Sequence, residues 1–166
     1  MGIIDGMLME FSHETANTRK MLEIAPEKDF GWAPHPKSMT LGKLTSHIAE
    51  IPGWTGVTLN QDVFEMDPST YKPLEFKTTP ELVACFDKKV AEAVEALKGA
   101  KEEQLFKTWT MKVGGKAVFS MPKIAVLRAF IFSHSIHHRG QLSVYLRMRN
   151  VPLPKVYGPT ADDTSM

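Results

Sequence analysis

The feature that most constrains this chain is a pair of histidines on the apolar face of a long predicted helix. His134 and His138 are four residues apart, so on a helix they lie one turn apart on the same face. They belong to a stripe with the spacing that a helical bundle buries: Leu127, Ile131, His134, His138, Gln141 and Tyr145. Buried imidazoles without a polar partner are costly, and a metal ion is the partner that best fits this spacing.

The composition predicts one globular domain over residues 1–166, long enough to bury a core without cross-links. The 20 basic and 19 acidic side chains give a formal net charge of +1, so electrostatics give no reason to expect nucleic acid or an acidic membrane as a partner. Cys85 is the single cysteine, and the N-terminus lacks the basic and apolar regions of a signal peptide. We expect a cytoplasmic protein that binds neither nucleic acid nor membrane.

The hydrophobic periodicity predicts four amphipathic helices. They run from about Ile4 to Ile24, from about Leu41 to Thr58, from Thr79 to Gly99, and from about Pro122 to Arg149. Ser38 or Thr40 is expected to cap the second helix, and Thr79 the third.

Two glycine-containing sites refine this prediction. Pro52-Gly53 should bend the second helix, because proline removes an internal hydrogen bond. Alternating residues around Gly114-Gly115 indicate a β-hairpin between the third and fourth helices. The predicted fold is therefore all-α, a four-helix bundle with a small β-hairpin between helices 3 and 4.

His47 is the best candidate for a third metal ligand. It lies between Leu44 and Ile51 on the inward stripe of the second helix. Three protein nitrogens plus an open position are the usual arrangement of a catalytic zinc site. A single histidine on an apolar stripe is, however, more often a core residue, and histidine pairs at this spacing also arise by chance. Residue patterns alone therefore leave open a core in which the histidines hold no metal.

His137 and Glu50 are candidates for proton transfer, although no specific sequence pattern supports either residue. His137 points about 60° from His134 and about 100° from His138 on a helical wheel, which places it at the edge of the buried face. A solvated side chain is the simpler interpretation of His137. Glu50 follows His47 by three residues. The Glu-x-x-His spacing of a dinuclear site occurs only at Glu10 and His13, which faces outward, so a dinuclear site is not favoured.

The remaining polar and reactive residues have simpler interpretations. His13 is expected to be exposed, and His35 lies in a proline-rich loop without a visible partner. Cys85 has apolar helical neighbours and is interpreted as a packed, inert thiol. Arg139 and Arg147 are interpreted as solvated helix charges, although contact with an anionic substrate stays open.

Three segments of the chain resemble the DinB-like superfamily, which contains DinB proteins and YfiT-type metal-dependent hydrolases and thiol S-transferases. The range 30–48 is similar to the family's proline-rich loop and the histidine that follows it. The range 134–142 is similar to its H-x-x-x-H-R-G-Q signature, and 151–159 to its C-terminal segment. The resemblance thus spans nearly the whole chain.

The resemblance implies a four-helix bundle that binds one divalent metal, zinc or nickel, through His47, His134 and His138. It also implies a homodimer with a small-molecule substrate. The implied activity is a thiol-dependent S-transferase or a hydrolase, with a low-molecular-weight thiol as a possible cosubstrate. The alternative is a non-catalytic metal-binding protein for stress response or small-molecule binding. A shell of neutral histidines leaves the ion its full charge, which would lower the pKa of a coordinating water or thiol.

Overall fold

The computed structural model describes residues 2–163 as a mostly helical fold with a small three-stranded sheet. The helices are α1 (Ile3–Glu23), α2 (Leu41–Glu50), α3 (Trp54–Asn60), α4 (Thr79–Gly99), α5 (Glu102–Leu105), α6 (Lys123–Val126) and α7 (His134–Met148). The strands are β1 (Val63–Met66), β2 (Thr108–Val113) and β3 (Lys116–Pro122). No helix in this range is long and apolar enough to cross a membrane. The domain prediction stays a prediction, and residues 1 and 164–166 of it lie outside the described part.

The predicted bundle is confirmed, with each predicted helix within a few residues of its expected bounds. The second predicted helix is divided into α2 and α3 by a short 3-10 turn, Ile51–Gly53, at the expected proline. The bundle core lies between α1, α2, α4 and α7. One part of it contains Leu22, Leu44, Phe86 and Leu142, all buried.

The caps show how local sequence sets the helix ends. The Thr40 side chain accepts a hydrogen bond from the Lys43 backbone N–H, as predicted for α2. The predicted cap of α4 is wrong by one residue: Thr78 accepts from the Glu81 N–H. Thr79 instead donates its hydroxyl to the Ala25 carbonyl, 2.7 Å away, which ties the start of α4 to the end of α1.

The predicted hairpin is present as the antiparallel pair β2 and β3. Gly114 and Gly115 both have positive φ, at 57° and 77°, which a tight two-residue turn requires and glycine adopts without strain. The sequence did not predict β1, which pairs parallel to β2 in the order β1-β2-β3. Four residues give too short an alternation to distinguish a strand from an extended connection.

The fourth predicted helix contains an irregularity that its spacing does not reveal. Between α6 and α7 the chain forms a π-helical segment, Leu127–Ser133, directly before His134. Such segments widen the turn and occur frequently at functional sites. Here the widened turn buries the adjacent Ile131 and Phe132, and the Phe132 ring packs 5.6 Å from that of Phe11 on α1.

The interpretation of Arg139 as a solvated charge is wrong. Arg139 is 3% exposed, and its guanidinium donates to a Glu14 carboxylate oxygen 2.6 Å away and to the Thr18 hydroxyl at 3.2 Å. Tyr157 donates to the same carboxylate at 2.7 Å. The partners lie more than 100 residues upstream or in the C-terminal segment, so helical spacing alone could not reveal them. Arg147 is exposed and pairs with Asp162.

Lys123 provides a test of how the sheet is joined to the bundle. Its side chain is 2% exposed, and Nζ donates to the carbonyls of Leu59 and Gln61 at 3.0 and 2.9 Å and pairs with Asp62 at 2.8 Å. We expect Lys123→Ala to lower the free energy of unfolding by about 3 kcal/mol, because buried carbonyls lose their donor. Urea unfolding would measure this. Lys98→Ala, at an exposed ion pair, should change it by less than about 1 kcal/mol, and equal effects of the two would contradict the assignment.

Candidate metal centre

The three predicted ligands meet at one point of the bundle. His47 Nε2 lies 2.9 Å from His134 Nε2, which lies 2.8 Å from His138 Nε2. One ring nitrogen from each histidine lies within 4.8 Å of the others, and all three side chains are partly buried. The group could hold a metal ion.

The local structure of α2 places His47. The preceding loop is held against the start of α2 by backbone hydrogen bonds, from Leu41 to the Trp32 carbonyl and from Gly42 to the Phe30 carbonyl. A Cβ at Gly42 would lie 3.0 Å from that Phe30 oxygen, a tight contact, so the close approach favours glycine. His47 then faces α7.

A hydrogen bond to Gln141 fixes the orientation of one ligand. His138 Nδ1 lies 2.7 Å from Gln141 Oε1, one turn further along α7. With Nδ1–H as the donor, the Nε2 lone pair of His138 faces the other histidines, which is the tautomer a metal requires. The stripe prediction placed Gln141 on the buried face, whereas it is exposed and holds the histidine from outside.

Burial disfavours the charged form of all three imidazoles. Burial first, and then the neighbouring His138 and His134, lowers the pKa of His47 to about 4. Burial also lowers the pKa of His134 and of His138, although the hydrogen bond that His138 donates to Gln141 acts in the opposite direction. Neutral imidazole is the form that binds metal.

Hydrogen bonding alone cannot satisfy the cluster. His134 Nε2 has two close nitrogen neighbours, and a neutral imidazole nitrogen either donates one proton or accepts one. His138 Nε2 is an acceptor. A proton on His134 Nε2 would therefore be donated to His138 and would leave His47 Nε2 without a hydrogen bond. Without that proton, two lone pairs would face each other. A cation accepts all three lone pairs at once, so the donor set fits zinc or a similar ion.

Two residues of the cluster line an apolar cavity of about 310 Å³. His47 and His134 form one wall, and aromatic residues from α3, the sheet and the π-helical segment form much of the rest, among them Trp54, Trp109 and Phe130. A second cavity, of about 330 Å³, also borders His47, and its lining includes the charged side chains of Lys43 and Glu50.

The two candidates for proton transfer occupy different environments. Glu50 is partly buried beside the second cavity, where its carboxylate accepts the Leu74 N–H at 3.2 Å. Burial raises the pKa of Glu50. His137 is exposed, with its ring centroid 5.0 Å from that of His138. Neither role is decided by these positions, and both stay predictions.

Several other residues show what the spacing could and could not reveal. His13 is exposed, as expected, and His35 Nδ1 accepts the Lys37 N–H at 3.1 Å, a partner the sequence did not predict. Burial raises the pKa of the Cys85 thiol, which agrees with an inert role. The sequence also gave no signal that Tyr71, in an irregular connection, borders both cavities.

The DinB family matches residues 4–164, nearly the whole chain. The chain belongs to the DinB family. The chain is also similar to the uncharacterized protein YrdA of Bacillus subtilis (strain 168). The two are 25% identical over 161 residues, which cover 96% of this chain and 91% of YrdA.

Two solved structures show the same fold. The DinB-like protein of Bacillus cereus ATCC 10987 has a TM-score of 0.71 at 24% identity, over 92% of this chain and 97% of the other. The DinB-like protein YjoA of Bacillus subtilis has a TM-score of 0.70 at 22% identity, over 91% and 97%. At these identities the similarity establishes the DinB-like fold alone.

We expect each of His47→Ala, His134→Ala and His138→Ala to weaken zinc binding by more than roughly 100-fold, because each removes one of three ligands. Elemental analysis and competition with a chromophoric chelator would measure this. His137→Ala is the matched control and should bind within about twofold of the unchanged chain. Undiminished metal content in His134→Ala would exclude the assigned site.

The hydrogen bond between His138 and Gln141 can be tested separately from the three histidines. Gln141→Leu should weaken zinc binding by roughly 10–100-fold while leaving all three ligands in place, since Nδ1 of His138 loses the acceptor that orients its ring. The same competition assay applies, with the exposed Gln61→Leu as the control. An unchanged affinity in Gln141→Leu would show that the contact does not orient the ligand.

Metal removal should lower thermal stability. If the free metal concentration is about 100 times the Kd, chelation lowers the free energy of unfolding by roughly 2.7 kcal/mol. For a chain of this size this corresponds to a fall in Tm of about 5–10 °C. Calorimetry with and without chelator would show the shift. The His134→Ala variant should show almost none, and an equal shift in both proteins would mean that the chelator acts elsewhere.

Proposed function

We propose that this DinB-family protein is a metal-dependent enzyme, a thiol S-transferase or a hydrolase, that uses zinc or nickel held by His47, His134 and His138. The observation that supports the proposal is the convergence of three neutral imidazole nitrogens beside a cavity. When bound, the ion supplies Lewis-acid chemistry, by lowering the pKa of a coordinating water or thiol and polarising an electrophile.

The protein's own residues would perform the other tasks. The apolar walls of the first cavity exclude water and orient the electrophile, which favours reaction over competing hydrolysis. Glu50 borders the second cavity and has a raised pKa, so its carboxyl group is suited to receiving a proton from a nucleophile that enters there.

The second cavity favours the transferase over the hydrolase. A hydrolase needs room for one organic substrate and a water, whereas an S-transferase needs room for two organic substrates. Two separate cavities border His47, and the second carries side chains of both signs, Lys43, Glu50 and Glu75. Such a lining suits the charged ends of a low-molecular-weight thiol. The expected cytoplasmic location and homodimeric state are part of this proposal.

The test is turnover by purified, zinc- or nickel-loaded protein. Low-molecular-weight thiols with halogenated or epoxide electrophiles test transfer, and a panel of esters and amides tests hydrolysis. We expect metal-dependent consumption of thiol, reduced at least 100-fold in His134→Ala and about 10–100-fold in Glu50→Gln.

The controls separate the enzyme from a non-catalytic metal-binding protein. Glu50→Gln should keep full metal content, so a loss of rate there reflects proton transfer. A metal-loaded protein that never exceeds the His134→Ala rate across the panel, while losing stability on chelation, would contradict the enzyme and favour the non-catalytic alternative.

A further inference from the structure

The cavity beside the histidines has an unusually uniform lining. Apart from His47 and His134, the lining residues in the described part of the chain are apolar or aromatic, with a single aliphatic hydroxyl from Thr58 and a phenol from Tyr71. None of them carries a formal charge. Away from the histidines, a charged group bound there would lose its hydration without gaining an ionic partner from the protein, which weakens its binding.

The aromatic walls are packed against one another. The Trp54 ring meets Phe64 edge-on at 5.0 Å, and Phe64 stacks on Trp109 with the planes 8° apart. Phe119 continues the series, tilted against Trp109 at 5.8 Å and stacked on Phe130 at 4.9 Å. Rings held by several neighbours have little freedom to move, so the cavity is a preformed site for a flat apolar group.

Two lining residues carry buried polar atoms for which the protein offers no partner. They are Trp109 Nε1 and Thr58 Oγ1, in side chains that are 2% and 1% exposed. An indole N–H can only donate, so it requires an acceptor. A buried donor without one is destabilising, and a ligand that supplies the acceptor relieves that cost on binding.

We propose that the cavity takes an uncharged molecule with an aromatic or similarly flat apolar group and one hydrogen-bond acceptor, which accepts the Trp109 Nε1–H. The volume of about 310 Å³ is at the small end of ligand sites and suits a molecule with one or two rings. The inference rests on the proposed function in treating this molecule as the electrophilic substrate.

The first experiment measures binding without turnover. Protein from which zinc has been removed by a chelator, so that no ion attracts the anion, is titrated with acetophenone and with benzenesulfonate, which are of similar size but differ in charge, by calorimetry or ligand-observed NMR. We expect acetophenone to bind at least tenfold more tightly. Equal or tighter binding of benzenesulfonate would overturn the proposed substrate class.

A pair of tryptophan substitutions locates the binding. Met111 lines the cavity from β2, whereas Val118 is exposed on β3 and does not line it. Met111→Trp should fill part of the cavity and weaken acetophenone binding at least tenfold, with zinc content unchanged. Val118→Trp should leave both unchanged. Equal acetophenone affinity in the two variants would place the ligand elsewhere.

The second experiment tests the hydrogen bond. Acetophenone and α-methylstyrene have nearly the same shape, but only the ketone accepts a hydrogen bond. In Trp109→Phe, which keeps a ring in the wall, the affinity ratio of ketone to alkene should fall roughly three- to tenfold. The acetophenone carbonyl can contact the ion both in Trp109→Phe and in the unchanged protein, so this contribution cancels when the two affinity ratios are compared. Trp32→Phe, outside the cavity, is the control, and an unchanged ratio in Trp109→Phe would overturn the acceptor assignment.

Failure of this inference and failure of the proposed function are distinguishable. Turnover of charged electrophiles without binding of the neutral aromatic probes would refute the inference alone. Binding that is sensitive to Met111→Trp and Trp109→Phe, without turnover of any electrophile, would support the inference and refute the enzyme.

Discussion

The convergence of three neutral imidazoles on one point is the constraint on which the rest of the structure depends. His134 Nε2 lies close enough to both His47 Nε2 and His138 Nε2 for a hydrogen bond, yet it cannot serve both neighbours, and His138 already donates to Gln141. The burial that lowers the pKa of His47 prevents protonation from resolving the conflict at neutral pH. The site is built from separate helices, so it forms only when α2 and α7 pack together through Leu44 and Leu142.

The irregular elements of the fold lie around this site. The π-helical segment ends where α7 begins at His134, and its widened turn directs Ile131 to the cavity while Phe132 packs on α1. The sheet covers the same cavity with Trp109 and Phe119. These irregular elements give the three-histidine group a largely apolar surrounding, in which electrostatic interactions are stronger than in water.

How much the sequence predicts depends on whether a residue's partner follows from spacing. The three-histidine cluster was predictable, because a 3.6-residue period places His134, His138 and His47 on inward stripes. Arg139 was not: its partner Glu14 lies on another helix, although a second stripe formed by Arg139, Leu142 and Leu146 was visible in the sequence. The cavity could not be predicted, because it depends on the tertiary position of β1 and of the loop that carries Tyr71.

That second stripe explains why His138 and Arg139, which are adjacent in the chain, make contacts with different helices. His138 faces α2, whereas Arg139, about 100° further around α7, faces α1 and is buried against Glu14 and Tyr157. A buried ion pair tolerates little displacement, because separating the charges leaves each without hydration. Rotation of α7 about its axis would displace Arg139 from Glu14 as well as His134 and His138 from His47. We therefore expect the Arg139–Glu14 pair to help set the rotation of α7, and with it the positions at which the two histidines face His47.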